Sequence, residues 1–141
     1  MKGALFMTCL LSIAVGAGAT AQSSSAGKPP RLIIESMTGE DSFNFYCATC
    51  HGRDGRGTGP VAAALKTQPS DLTALARRNR GTFPRSDVVL FVTGTGRPLP
   101  SHGPGDMPVW GPIFRALENS DPLVKVRIEN IVDYIESLQI P

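Results

Sequence analysis

Cys47-Ala48-Thr49-Cys50-His51 is the stretch that decides how this chain is read. Two thiols three residues apart fall on the same side of a helical turn. There each can add to one vinyl group of a haem and form a thioether, and His51, next in sequence, can reach the iron from one side. Ala48 and Thr49 are small and let the edge of a porphyrin approach the backbone. Cys-x-x-Cys-His is the pattern of covalent haem attachment, so Cys47, Cys50 and His51 are the candidate cofactor residues and one haem c is the expected cofactor. Other readings explain less. A structural zinc ion needs four ligands, and a second Cys or His pair at the usual spacing is missing. A thioredoxin-like Cys-x-x-Cys needs a βαβ context that the sequence lacks. A disulfide between Cys47 and Cys50 suits an exported chain, yet it leaves His51 without a purpose.

The rest of the composition is consistent with a core that a cofactor completes. The chain has 141 residues, 41% of them hydrophobic, 18% charged and only 6% aromatic, with 15 glycines and 12 prolines interrupting it. One globular domain is the natural reading. A formal charge of +2 is too small, and the basic residues too scattered along the chain, to mark a nucleic-acid surface, so no nucleic-acid partner is expected.

The first residues indicate a compartment. Lys2 precedes an apolar run from Ala4 to about Val15, and Ala19-Thr20-Ala21 stands just before Gln22 and three serines. This is the three-part pattern of a secretory signal peptide, spanning residues 1–21, with cleavage after Ala21. An uncleaved anchor is the alternative, because the run stretched to Ala21 approaches the length of a span; Gly16, Gly18 and the small-residue exit favour cleavage. Cys9 belongs to that segment and has no small-residue lipoprotein box around it. A periplasmic or otherwise exported protein is therefore expected, close to neutral in charge and with no membrane span in the mature chain.

Residues 22–36 are Ser-rich and lead into Lys28-Pro29-Pro30, a flexible arm that stiffens toward an extended segment. The folded domain is expected over 37–141. Strand-like alternation is weak, and the helical period predicts an all-α chain. Helices are expected from about Glu40 to Thr49, from Asp71 to about Asn79 behind a Ser70 or Asp71 cap, and from Ser86 to Gly94. The clearest starts at Asp121-Pro122 and carries Leu123, Ile128, Ile131, Val132, Ile135 and Leu138 as an apolar stripe. Residues 52–60 and 94–112 read as long Gly- and Pro-rich loops, which in a small domain usually serve function.

Beyond the attachment motif the chain resembles class I c-type cytochromes of the bacterial, monohaem kind, over about residues 37 to 140. Members carry a Gly and a Phe eight and four residues before the first haem Cys; Gly39 and Phe43 stand there. Their last helix presents an apolar residue and, three positions on, an aromatic to that pair, and Ile131 and Tyr134 fit. Close crossing of the two helices at Gly39 and packing of Phe43 against Tyr134 are expected. The resemblance implies the cytochrome c fold, three to five helices wrapped around one haem. It also implies that the carbonyl of Pro60, closing the loop Gly52 to Pro60, accepts a hydrogen bond from the ligand imidazole and raises its basicity.

Gly105-Asp106-Met107-Pro108-Val109-Trp110 is similar to the Met-Pro segment of the family, which makes Met107 the expected second iron ligand. Pro108 biases Met107 toward extended backbone, suited to presenting a thioether from a loop. Met37 and His102 are the other side chains able to take that position. Trp110 is expected to wall the haem pocket, with its N–H on a haem carboxylate or a backbone carbonyl. With both axial positions filled, the expected chemistry is one-electron exchange and no enzymatic reaction. Expected partners are a donor dehydrogenase or quinol oxidoreductase and an acceptor oxidase. A permanent haem-bearing subunit of a larger redox complex is an alternative. So is a haem enzyme or gas sensor with an open iron site.

Overall fold

The computed structural model describes residues 32–95, 107–118 and 120–141. Every regular element among them is helical. The order is α1 (Gly39–Tyr46), α2 (Ala48–His51), a 3-10 turn (Ala62–Ala64), a second (Leu72–Ala74) running into α3 (Leu75–Arg78), α4 (Arg85–Thr93), α5 (Trp110–Leu117) and α6 (Asp121–Ser137). Six α segments exceed the three to five expected because two of them are single turns of four residues. Among the described residues no helix is long and apolar enough to cross a membrane. The expected signal segment, residues 1–21, lies outside the described residues, as does His102.

Local chemistry sets the ends. Thr38 caps α1 by accepting from the Asp41 N–H at 3.2 Å. Ser36 and Thr38 hydroxyls both donate to the Asp41 carboxylate, at 2.6 and 2.8 Å. Those bonds, Ser36 first, hold the Asp41 carboxyl below the usual carboxylate range. Helix α1 stops at Cys47, whose φ of −113° breaks the run expected to reach Thr49, and α2 resumes one residue later. Asp71 caps the second 3-10 turn, its carboxylate accepting from the Thr73 N–H at 2.9 Å and the Thr73 hydroxyl at 2.6 Å. Helix α4 starts at Arg85 behind Pro84, one residue ahead of the expected Ser86 cap, and ends on Gly94 in the left-handed conformation. Ser120 rather than Asp121 occupies the cap position of α6, and Pro122 sits in its first turn, where a missing N–H costs nothing.

The core lies where α1 crosses α6. Phe43, Phe114, Ile131 and Val132 are fully buried there. A Cβ on Gly39 would run into the Asn130 carbonyl and lie 2.8 Å from Tyr134 Cβ, so only glycine admits this approach. Phe43 and Tyr134 then meet at 5.2 Å between ring centroids, tilted by 50°. Val124 takes the buried place expected for Leu123, which is exposed, because the stripe of α6 runs 124, 128, 131, 132, 135.

Two further features depart from the sequence reading. Residues 94–112 were expected to be a loop, but Trp110 begins α5. Its apolar positions Trp110, Ile113, Phe114 and Leu117 follow helical spacing, and Pro112 falls in the first turn, where it is tolerated. Residues before Met37 also pack against the core. Ile34 N–H donates to the Tyr46 hydroxyl at 3.1 Å, and Arg127 donates to the Ile34 and Ser36 carbonyls at 3.1 and 2.8 Å. The end of the expected flexible arm is thus fastened to the core by a buried guanidinium. The opposite terminus is fastened too: Gln139 bonds the Leu72 carbonyl and the Ala76 N–H, at 2.7 and 2.8 Å, and Ile140 N–H bonds the Thr73 carbonyl at 3.0 Å.

Candidate functional site

Helix α2, with Cys47 at its N-terminal cap, holds the Cys-x-x-Cys-His stretch, and a helix of four residues leaves all of its terminal carbonyls to be satisfied from elsewhere. The glycine-rich loop does this. Backbone N–H groups of Gly52, Val61, Gly59 and Gly57 donate to the carbonyls of Ala48, Thr49, Cys50 and His51 in turn, at 2.8, 3.2, 3.0 and 2.7 Å. The loop is therefore the clamp that holds the motif rigid. Gly57 adopts φ of +80°, and a Cβ there would collide with the Pro69 carbonyl. That close approach, with Leu72 N–H on the Gly55 carbonyl at 2.7 Å and the Gln68 amide on the Gly57 carbonyl, lays residues 68–72 across the loop.

The consequence is felt at His51, which is buried. Its Nδ1 lies 3.0 Å from the Ser70 carbonyl oxygen. A carbonyl only accepts, so the proton belongs on Nδ1 and the neutral ring keeps a lone pair on Nε2, the form a metal ligand needs. The acceptor expected at this point was Pro60. Pro60 is instead exposed on the clamp loop, and Ser70, ten residues further on, supplies the carbonyl because the Asp71 cap and Gly57 bring its backbone to the ring.

A cavity of about 550 Å³ opens beside this pair, and its wall is mostly apolar, with Leu72, Leu75, Val88, Phe91, Val92 and Ile135 among the lining side chains. Cys47, His51 and Met107 all line it. A volume of that order suits a small-molecule cofactor. Cys50 follows Cys47 by one turn, half-buried and outside the lining. Neither thiol is in a disulfide. Burial, with a smaller contribution from Cys50, pushes the Cys47 thiol up to about 12, so it is an S–H group at neutral pH rather than a thiolate. Among the described residues no group of three or more His, Cys, Asp or Glu side chains could hold a metal ion. The residues suit a haem better than a bare metal, since a thiol, an imidazole and a thioether line one largely apolar cavity.

Trp110 does not join them. It was expected to wall the pocket but stacks on Phe114 at 5.5 Å and packs on Tyr46 at 5.2 Å, away from the lining. The apolar stripe of α5 explains this, since it turns Trp110 and Phe114 to one side. Met37 is also outside the lining, its carbonyl taken by the Asn130 amide at 2.6 Å. The polar lining that sequence reasoning missed is Ser70, Arg78, Asn79 and Asp87. Compared with known protein families, with curated proteins and with solved structures, the chain matches none.

Proposed function

We propose that this chain is an exported carrier of single electrons, a monohaem c-type cytochrome built on the cytochrome c fold. Haem would be bonded through Cys47 and Cys50, with its iron between His51 and Met107. The observation that supports this most is the meeting of His51 and Met107, far apart in sequence, at one largely apolar cavity that Cys47 also lines. Bound there, haem supplies one-electron chemistry at its iron. The chain's residues do the rest. Ser70 fixes the His51 ring and its tautomer through Nδ1. Met107 offers a thioether, which together with imidazole raises the reduction potential, and the apolar wall acts in the same direction by disfavouring the extra charge of the ferric state. A donor dehydrogenase or quinol oxidoreductase and an acceptor oxidase would dock briefly on a small patch.

The test starts from chain expressed with a haem-attachment apparatus. Haem that stays with the polypeptide through denaturing electrophoresis supports the reading. Cys47→Ala or Cys50→Ala should leave one thioether and a low yield, and the double variant no holoprotein; a folded, haem-free double variant in normal yield would end it. Met107→Ala should remove the weak far-red band of sulfur-ligated ferric haem and lower the potential, with His102→Ala leaving both nearly unchanged. Should His102→Ala be the one that collapses the potential or opens the iron to carbon monoxide, the His/Met pairing is wrong.

A further inference from the structure

Met107 lines the cavity just ahead of α5, and four residues later Gly111 lies buried in the first turn of that helix. Glycine weakens a helix relative to alanine, so its place there calls for a reason outside α5. The reason is α4. A Cβ on Gly111 would stand 2.5 Å from the Thr93 carbonyl oxygen and 3.1 Å from the Thr93 Cα, so α5 begins directly on the backbone of the last residue of α4. A second contact lies beside the first. Gly94, the left-handed cap of α4, leaves open the space that Val109 fills, and a Cβ there would overlap the Val109 side chain. Both contacts fall within four residues of Met107.

We propose that the seat of Gly111 on Thr93, together with Val109 against Gly94, holds Met107 at the cavity, so that the end of α4 sets how firmly the thioether stays on the iron. The proposal rests on the haem reading above and makes Gly111 and Val109 positioning residues. Thioether sulfur is a soft, neutral donor that favours ferrous over ferric iron, so in the ferric state it stays bound only as far as the protein keeps it in place. Helix α4 is a firm base for that task. Its Val88, Phe91 and Val92 form part of the cavity wall, and Arg85 at its start donates to Glu136 and Glu129 of α6 at 2.9 Å each. The other end of α5 is held as well, by the Glu118 carboxylate on the buried Arg127 of α6. With α5 fixed at both ends, the joint at its start is the part of the frame that Met107 follows.

The experiment is a titration of the purified ferric holoprotein with free imidazole, followed by loss of the weak far-red sulfur band, for the wild type, Gly111→Ala, Val109→Ala and Gly39→Ala, with the urea midpoint of each. Imidazole enters only the fraction of molecules in which the thioether has left the iron, so its apparent affinity reports how firmly Met107 is held. Gly111→Ala overpacks the seat and should tighten imidazole binding by roughly tenfold. Val109→Ala removes the second contact and should tighten it severalfold. Gly39→Ala puts the same methyl into the close crossing of α1 and α6, and should lower the urea midpoint while binding imidazole as the wild type does. A Gly111→Ala or Val109→Ala holoprotein with wild-type affinity overturns the proposal, as does a Gly39→Ala that tightens binding as much. Should Gly111→Ala yield no holoprotein, Val109→Ala decides alone on the same criterion. A wild type that retains no haem covalently, or whose ferric spectrum lacks the far-red band, would instead overturn the reading on which the proposal rests, and the wild-type spectrum alone tells the two failures apart.

Discussion

Arg127 is the residue where the sequence pattern and the fold meet most sharply. It occupies a position on the apolar stripe of α6, between Val124 and Ile128, and is 2% exposed. A charge there must be paired, and it is: Arg127 Nε meets the Glu118 carboxylate, itself 6% exposed, and Nη1 bonds the Ser42 hydroxyl at 3.2 Å. The guanidinium also lies about 6 Å from the ring centres of Tyr46 and Phe114. Such a cation is expensive to desolvate, but removing one partner is worse, because the other is left buried and alone. Arg127→Met should therefore cost about 3–5 kcal/mol in urea unfolding, and the pair Arg127→Met with Glu118→Leu distinctly less. Equal losses in the single and double variants would show that the ion pair is not what the site depends on.

At the scale of elements, two joints govern the frame around the cavity. The first is the α1–α6 crossing. Gly39→Ala should lower stability by about 1–3 kcal/mol, since the new methyl meets backbone that cannot yield without moving a helix. Phe43→Ala should cost about 3–5 kcal/mol. Combined with Tyr134→Ala it should cost less than the sum, because the rings touch. Strict additivity in that double-mutant cycle would refute the contact. The second joint is the Asp71 cap that leads into α3 and steadies Ser70. Asp71→Ala should cost about 1 kcal/mol near neutral pH. The Thr73 hydroxyl, then the Thr73 N–H and the Arg78 and Arg56 charges, hold the Asp71 carboxyl below its ordinary value against an opposing effect of burial. Stability from a depressed carboxyl is present above the unfolded value and is lost as pH falls through the folded one. The gap between wild type and Asp71→Ala should accordingly narrow in acid, measured as urea midpoints at both pH values.

Seen whole, a nearly neutral chain is electrically lopsided. Residues 53–80, which clamp α2 and flank the cavity, carry Arg53, Arg56, Lys66, Arg77, Arg78 and Arg80 against Asp54 and Asp71. On α6 the carboxylates Glu129, Asp133 and Glu136 gather around Arg85, with Glu129 and Glu136 each at 2.9 Å. A charge imbalance of this kind steers charged reagents at long range, and salt screens the effect. If electrons leave by the cavity side, Arg53→Glu with Arg80→Glu should slow oxidation by hexacyanoferrate severalfold at low ionic strength, the difference fading at high salt. A rate unchanged at low salt would place the exit elsewhere.

The sequence by itself determined the helical class and the placing of Cys47, Cys50 and His51 within one turn, because each depends on spacing along a regular element, while the Gly39–Phe43–Tyr134 joint was legible through the family resemblance and is found in the structure. It also held the signal for α5 in the spacing of Trp110, Ile113, Phe114 and Leu117, which the glycines and prolines before it obscured. What only the tertiary structure decided was which groups from distant segments share a space. Pro60 and Ser70 are both backbone carbonyls beyond the motif, and nothing in their side chains tells which one faces His51; the approach of Gly57 to Pro69 does. Trp110 and Arg78 are likewise separated by packing alone, one turned onto Phe114 by the stripe of α5, the other brought to the cavity by the end of α3. Periodicity is a local property that a chain carries in its order of residues, whereas a cavity is made of surfaces left over when helices close on one another, and those surfaces exist only after they have.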